Sequence, residues 1–328
     1  MEQLSELKKH IGSITDIKQM THAMQLISAV KMRRARTQLE KTMPFFASCA
    51  ETMVQLRDAG EYINNSFFQL RSKKKGETWK IGYFILTGEQ GLAGAYNMNV
   101  LTTAQTHIRF KIFDNVRKGL KTSTKLFVAG KIGKDKLKRE GFDVVDDFEY
   151  PISEPTYYRA REISDYIHDL YENEQLDLIY FVYTQIESAI SMKPVVTRVL
   201  PVNPSGLEKI VPEKYRKEHG LAAGGTIEYL PSADAVIEYL INIYLNGMVY
   251  GALTEAYASE QTARMTAMDN ATENADEMLR KLTLQSNQAR QARITNELSE
   301  IVGGAEVLAV QSVKRKTEGD KTQWQQDT

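Results

Sequence analysis

The stretch TGEQGLAGAYN, at 87–97, sets Gly88, Gly91 and Gly94 at three-residue steps directly after the apolar run WKIGYFIL. A glycine-rich turn between a strand and a helix is where phosphate-binding enzymes converge backbone N–H groups on an anion. Here the spacing is GxxGxxG rather than GxGxxG, and the lysine and Ser/Thr that a P-loop sets on phosphate and magnesium are missing. The next apolar run, TKLFVAG, is followed by Lys131 and Ile132, with no carboxylate for a ribose hydroxyl. GKIGKDK imitates part of a phosphate loop, but Asp135 stands where a hydroxyl is needed. Both stretches read as tight turns at strand-to-helix junctions, so neither direct nucleotide binding nor a cofactor is expected.

Other reactive side chains are sparse. Cys49 is the only cysteine, which excludes an intramolecular disulfide and a four-cysteine metal site and suits a reducing compartment. His10, His22, His107, His168 and His219 are scattered without HExxH pairing, so no metal is expected. With 42 basic and 42 acidic residues, the overall charge points to neither nucleic acid nor a membrane surface. One local patch stands out: KMRRAR places Lys31, Arg33, Arg34 and Arg36 on little more than one helical turn. It is either a solvated face or an attractor for an acidic partner, and it lacks the interleaved aromatics of a nucleic-acid site. Methionines such as Met24 and Met268 read as core filler. Arg264, Arg290 and Arg293 read as exposed charges with buried stems.

These residues need long elements to position them. From Leu4 to Val30, apolar residues recur at three- and four-residue steps, and the first proline is Pro44, so 1–60 reads as one helix. After Pro231 no proline follows, and 232–308 is rich in helix formers, with Ala252, Ala256, Ala263, Ala267, Ala271 and Ala275 allowing close approach of a partner helix. At ~1.5 Å per residue the two helices would run about 80 and 110 Å. Paired antiparallel, the second would project beyond the first, still carrying Ile294, Leu298, Ile301, Val302 and Leu308, which something else must surround. Between the helices, runs at 80–86, 125–128, 142–145, 178–183 and 195–200 read as strands alternating with helical segments at 98–118 and 157–172. The expected fold class is therefore α/β: a long antiparallel coiled coil with an inserted Rossmann-like three-layer domain at 78–202 and a largely parallel sheet. A Gly/Pro-containing excursion occupies 203–231 and a polar tail 309–328. The charged N-terminus lacks a signal-peptide core, and no stretch approaches the ~20 apolar residues of a membrane span. A soluble, cytoplasmic protein is expected, with any membrane association through a partner.

IGSITDIKQMTHAMQLISAVKMRRAR at 11–36 and ASEQTARMTAMDNATENADEMLRKLTLQSNQARQARITNELSEIVGGAEVL at 258–308 closely resemble the terminal helices of the gamma subunit of F-type ATP synthases. GLAGAYN is similar to the glycine turn that this family carries after its first strand. The resemblance implies a non-catalytic rotor shaft inside a hexamer of alternating alpha and beta subunits, with ATP bound by those subunits. The α/β domain would stand at the foot, against the epsilon subunit and the membrane rotor ring, on the cytoplasmic face of the cell membrane. Positions matching the family's shaft-to-beta contacts are Met24, Arg264, Gln291, Thr295 and Glu297; Lys31, Arg33 and Arg34 would pass acidic loops of beta. Ile301, Val302 and Leu308 would sit in the hexamer's apolar bearing.

The chain departs from the family pattern in three places. Glu89 and Gln90 replace an Asp and a basic residue before the glycine turn, 203–226 is longer than a minimal foot loop, and the polar tail would leave the bearing or lie disordered. The single cysteine argues against the dithiol switch of the chloroplast version, and the plain N-terminus leans toward a bacterial source. Two alternatives stay open: a shaft or scaffold subunit of a specialised ATPase assembly, and a stand-alone α/β nucleotide enzyme with a coiled-coil stalk.

Overall fold

A computed structural model describes residues 2–58, 66–148, 150, 153–186, 191–202, 230 and 232–323; for 2, 3, 55–58, 233, 234 and 309–323 it describes the backbone alone. The chain divides into two compact units, Met24–Met268 and Met1–Ala23 with Asp269–Thr328.

In the larger unit a four-stranded sheet is built from β1 (Thr78–Leu86), β2 (Lys121–Ala129), β3 (Leu178–Ile186) and β4 (Met192–Leu200), in the order β2-β1-β3-β4. β1 pairs in parallel with β2 and β3, while β4 closes the edge antiparallel to β3. The central strands are buried on both faces, which is why WKIGYFIL and LIYFVY are nearly continuous apolar runs rather than alternating ones. One face is covered by α2 (Tyr96–Arg117) and α3 (Lys131–Arg139), through Val100, Leu101, Ala104, Ile108 and Leu137.

The other face receives α4 (Tyr157–Glu172) and parts of two much longer helices, α1 (Glu2–Asp58) and α5 (Ala233–Gln323). Its centre is aromatic: the Phe84 and Phe127 rings stack with centroids 4.4 Å apart, and Phe148 meets both edge-on. Such pairs add about 0.5–1.5 kcal/mol beyond their area burial. Gly247 lets α5 approach α1 closely, since a Cβ there would lie 2.3 Å from the Phe46 ring. Three layers result, with the coil segments forming part of the third.

A buried carboxylate ties the domain's entry to its sheet. Asp177, just before β3, accepts from the Lys80 amide at 2.9 Å and from Arg71 at 3.2 Å, and pairs with Lys73 at 3.0 Å. Burial pushes its carboxyl up, but the Lys80 amide, Lys73 and Arg71 outweigh that and hold it below the usual carboxylate value.

In the smaller unit the two chain ends pair antiparallel. Lys18 meets Asp276 at 2.5 Å, Thr21 meets Thr272 at 2.8 Å, and Leu7 and His10 share a cleft with Gln288 and Ala289.

Several expectations need correction. The strand expected at 142–145 is a single parallel bridge, Leu126 to Val144, because the chain turns away through Asp146 and Asp147. The GKIGKDK stretch, read as a turn, supplies most of helix α3. α5 does not stop near Leu308 but continues to Gln323 through the segment expected as a tail outside the helix. Within Ala235–Leu308 one window reaches a mean hydropathy of 1.2, the level of a marginal membrane span, yet 56% of it is buried in protein. Residues such as Leu245, Val249 and Leu253 there are core residues of the larger unit. The excursion expected at 203–226 lies outside the described residues.

Candidate functional site

The glycine loop after β1 is fastened from three sides. Thr87 is fully buried; its hydroxyl donates to the Ala129 carbonyl at 2.8 Å and accepts from the Gly133 amide at 3.2 Å, joining the ends of β1 and β2. Gly130 has φ 91°, and a Cβ there would lie 1.9 Å from the Thr87 carbonyl oxygen, so both backbone sign and space demand glycine. The Gly88 amide donates to Asn97 Oδ1 at 2.7 Å, and the Tyr96 hydroxyl donates to the Ala256 carbonyl at 3.0 Å.

α5 closes the third side. Arg264 Nη2 donates to the carbonyls of Gln90 and Gly91, each at 3.2 Å, and to Glu260 Oε1 at 2.5 Å. Burial raises the Glu260 carboxyl above its ordinary value, partly offset by Arg264. Gly88 lies flat on this pair: an added Cβ would sit 2.7 Å from Glu260 Oε1. The turn therefore presents carbonyls to a guanidinium, the reverse of a phosphate cradle, in which N–H groups converge on an anion. In the same way Gly133, the last glycine of GKIG, packs on Thr87. Gly88 thus packs the loop on α5, while Gly130 and Gly133 pack the ends of β1 and β2 together around Thr87.

On α1 the basic patch borders an apolar one. Leu26, Ile27 and Val30 are more than half exposed, beside exposed Lys31, Arg33 and Arg34. None of those three cations forms an ion pair among the described residues. Val30, Lys31 and Arg34 line a cleft of about 510 Å³ with Pro155 and Tyr257. Met24 is half-buried.

On the last part of α5 every side chain from 290 to 308 is exposed. Arg293 Nε donates to Glu297 Oε1 at 2.6 Å, and the Thr295 hydroxyl donates to the Gln291 carbonyl at 3.0 Å, so both bonds stay on the helix itself. Ile294, Leu298, Ile301, Val302, Val307 and Leu308 lie uncovered, with Ile301 at 67% and Leu308 at 68% exposure. Of the site residues anticipated from sequence, Arg264 alone is buried and occupied within the chain; the others are exposed, apart from half-buried Met24.

Sequence reasoning missed Glu260, Thr87 and Asp177. The Glu260–Arg264 spacing is a helical i,i+4 pair and could have been read as such. One group of possible metal ligands, His168, Asp169 and Glu172, lies within 4.8 Å on α4. Its two carboxylates are exposed, and His168 stacks on Phe67 with ring centroids 4.8 Å apart.

Residues 3–308 match the ATP synthase family model. The ATP synthase gamma chain of Ruminiclostridium cellulolyticum is 42% identical over 305 residues, covering 93% of this chain and 98% of that one. The chain belongs to the ATP synthase gamma chain family. The gamma chain of Acetivibrio thermocellus is 39% identical over 308 residues, covering 94% and 100%. A relative from Acetobacterium woodii named as sodium ion specific is 32% identical, covering 94% and 99%. The fold is that of a chain in the F1/c-ring structure of the Euglena gracilis mitochondrial ATP synthase, with TM-score 0.56, 17% identity, and 94% and 95% coverage. As a gamma chain the protein is the central stalk of an F-type ATP synthase, and the α/β latch described above lies on that stalk.

Proposed function

We propose that the chain turns inside a hexamer of alternating alpha and beta subunits and passes torque between the membrane rotor ring and the nucleotide sites of beta. The observation that carries this reading is the uncovered stretch 290–308, which sets six large apolar side chains in water along a helix. Contiguous exposed apolar surface of that kind marks an interaction site, and the hexamer's bearing would surround Ile301, Val302 and Leu308. Gln291, Thr295 and Glu297, exposed just before it, would touch beta. Met24, Lys31, Arg33 and Arg34 would form a second contact zone, where unpaired cations meet acidic loops by long-range attraction. An asymmetric shaft contacts the three beta subunits differently, so each is biased toward a different nucleotide affinity, and rotation exchanges the biases.

Arg264 would act differently from the other family contact positions. Its guanidinium holds the glycine loop on α5, so it would transmit torque between the α/β domain and the coil. The α/β domain would meet the epsilon subunit and the rotor ring, placing the chain at the cytoplasmic face of the cell membrane in a peripheral complex carrying protons or sodium ions. Native mass spectrometry of this chain co-expressed with alpha and beta subunits of its own source is the test. One copy held in an ATPase-active hexamer supports the reading, and a chain that stays apart from the hexamer overturns it.

A further inference from the structure

The larger unit contains another cavity, of about 370 Å³, between α1, α5 and the β3–β4 edge. Leu39, Met43 and Phe46 wall it from α1, Tyr183 from β3, Thr197 from β4 and Glu255 from α5. Its volume lies within the range of small-molecule sites, which are apolar with a few placed polar groups. Two further observations suggest that the chain leaves it unfilled. At Gly251, also on the wall, an added Cβ would meet nothing within 4 Å. Glu255, half-buried on the same wall, has no hydrogen-bond or ion-pair partner among the described residues, which leaves its carboxyl free to take one from a ligand.

The groups around Glu255 do not neutralise it. β3 offers Tyr183 and α5 offers Tyr244, phenols that burial pushes far above their ordinary value. β4 offers the Thr197 hydroxyl, and its Arg198 acts on Tyr244. α1 contributes only apolar side chains to the wall. We propose that this cavity binds a small protonated amine with an apolar body, the ammonium pairing with Glu255 and the body lying against Met43, Phe46 and Tyr183. Aromatic faces attract such a cation, and a charge-assisted hydrogen bond supplies the counter-charge that the chain itself does not. Burial holds the empty Glu255 carboxyl up at about 7, so amine binding near that pH ionises it and releases a proton.

Isothermal titration of the full-length chain with 2-phenylethylammonium and with uncharged 2-phenylethanol tests the site, and does not depend on assembly with other subunits. The amine is expected to saturate one site about tenfold more tightly than the alcohol, with a heat that varies with buffer ionisation enthalpy near pH 7. Glu255→Gln should erase the preference for the amine, and Gly251→Leu, which fills the cavity, should abolish binding of both probes. An absence of saturable amine binding, equal affinity for the two probes, or undiminished binding in folded Gly251→Leu would overturn the proposal. Should Gly251→Leu fail to fold, the near-isosteric Glu255→Gln decides alone.

Discussion

Arg264 and Glu260, one turn apart on α5, meet at 2.5 Å with side chains only 9% and 7% exposed, and the arginine spends its remaining reach on two carbonyls of the glycine loop. An i,i+4 pair on an open helix face is worth a few tenths of a kcal/mol. This one is dry and holds a neighbouring element, so its loss has a different scale.

Arg264→Ala should therefore destabilise the full chain by about 3–5 kcal/mol, because it strands a buried carboxyl and two carbonyls. Pairing it with Glu260→Gln should restore part of the loss. Urea unfolding of the single and double variants measures both, and a single-variant loss below about 1 kcal/mol would show that the latch carries no stability.

The glycines of the loop should differ among themselves. Gly88→Ala drives a Cβ to 2.7 Å from Glu260 Oε1 and is expected to cost about 1–3 kcal/mol. A Cβ at Gly91 meets nothing within 4 Å, so Gly91→Ala should stay within about 0.5 kcal/mol of the parent chain. Equal effects at both positions in thermal melts would contradict the packing role given to Gly88.

Periodicity made the long helices legible, as from Leu4 to Val30, and the short, aromatic-rich run WKIGYFIL, closed by the glycine turn, made the central strand legible by its length and flanks. It failed where pairing decides. Residues 142–145 have the apolar content of a strand but gain only one bridge, and β4 pairs antiparallel to β3 because too few residues join them for the crossover that parallel strands need. Polar residues after Leu308 suggest a tail, but no proline follows and the helix runs through Gly319 to Gln323. The family resemblance pointed to Arg264, and the Glu260 spacing was readable. What the pair grips lies 173 and 174 residues away in sequence, a distance that only the fold can bridge.

Asp177 should govern acid sensitivity. Its folded carboxyl is held below the unfolded value, so its stabilisation is complete above about pH 3.9 and lost as pH falls through the folded value. Asp177→Asn should be less stable at neutral pH and should flatten the loss of stability below about pH 4. An unchanged acid limb in the variant would remove Asp177 from that role.

Glu255 has the opposite sign. Its folded carboxyl titrates at about 7, so the folded state binds the extra proton between the ordinary value of about 4.3 and that point. The stability that the neutral form confers is complete below about pH 4.3 and drains away as pH rises to about 7. Glu255→Gln should remove that slope, measured as unfolding free energy across the window, and a slope that persists would assign it elsewhere.

Gln291→Ala and Thr295→Ala should leave the isolated chain within about 0.5 kcal/mol of its stability, because both side chains are exposed and the Thr295 hydroxyl bonds only its own helix. In the assembled complex the same changes should lower ATP-driven ion pumping more than ATP hydrolysis. Unchanged pumping and hydrolysis in both variants would count against these two as contacts with beta.

The uncovered stretch 290–308 also bears on how the chain is produced. A copy made in excess of its partners carries a helical strip of Ile294, Leu298, Ile301, Val302, Val307 and Leu308 that water solvates poorly and that a second such copy can cover. Surplus chains should therefore clump or be degraded, and a cell making this protein gains by fixing its output to that of the other ATP synthase subunits.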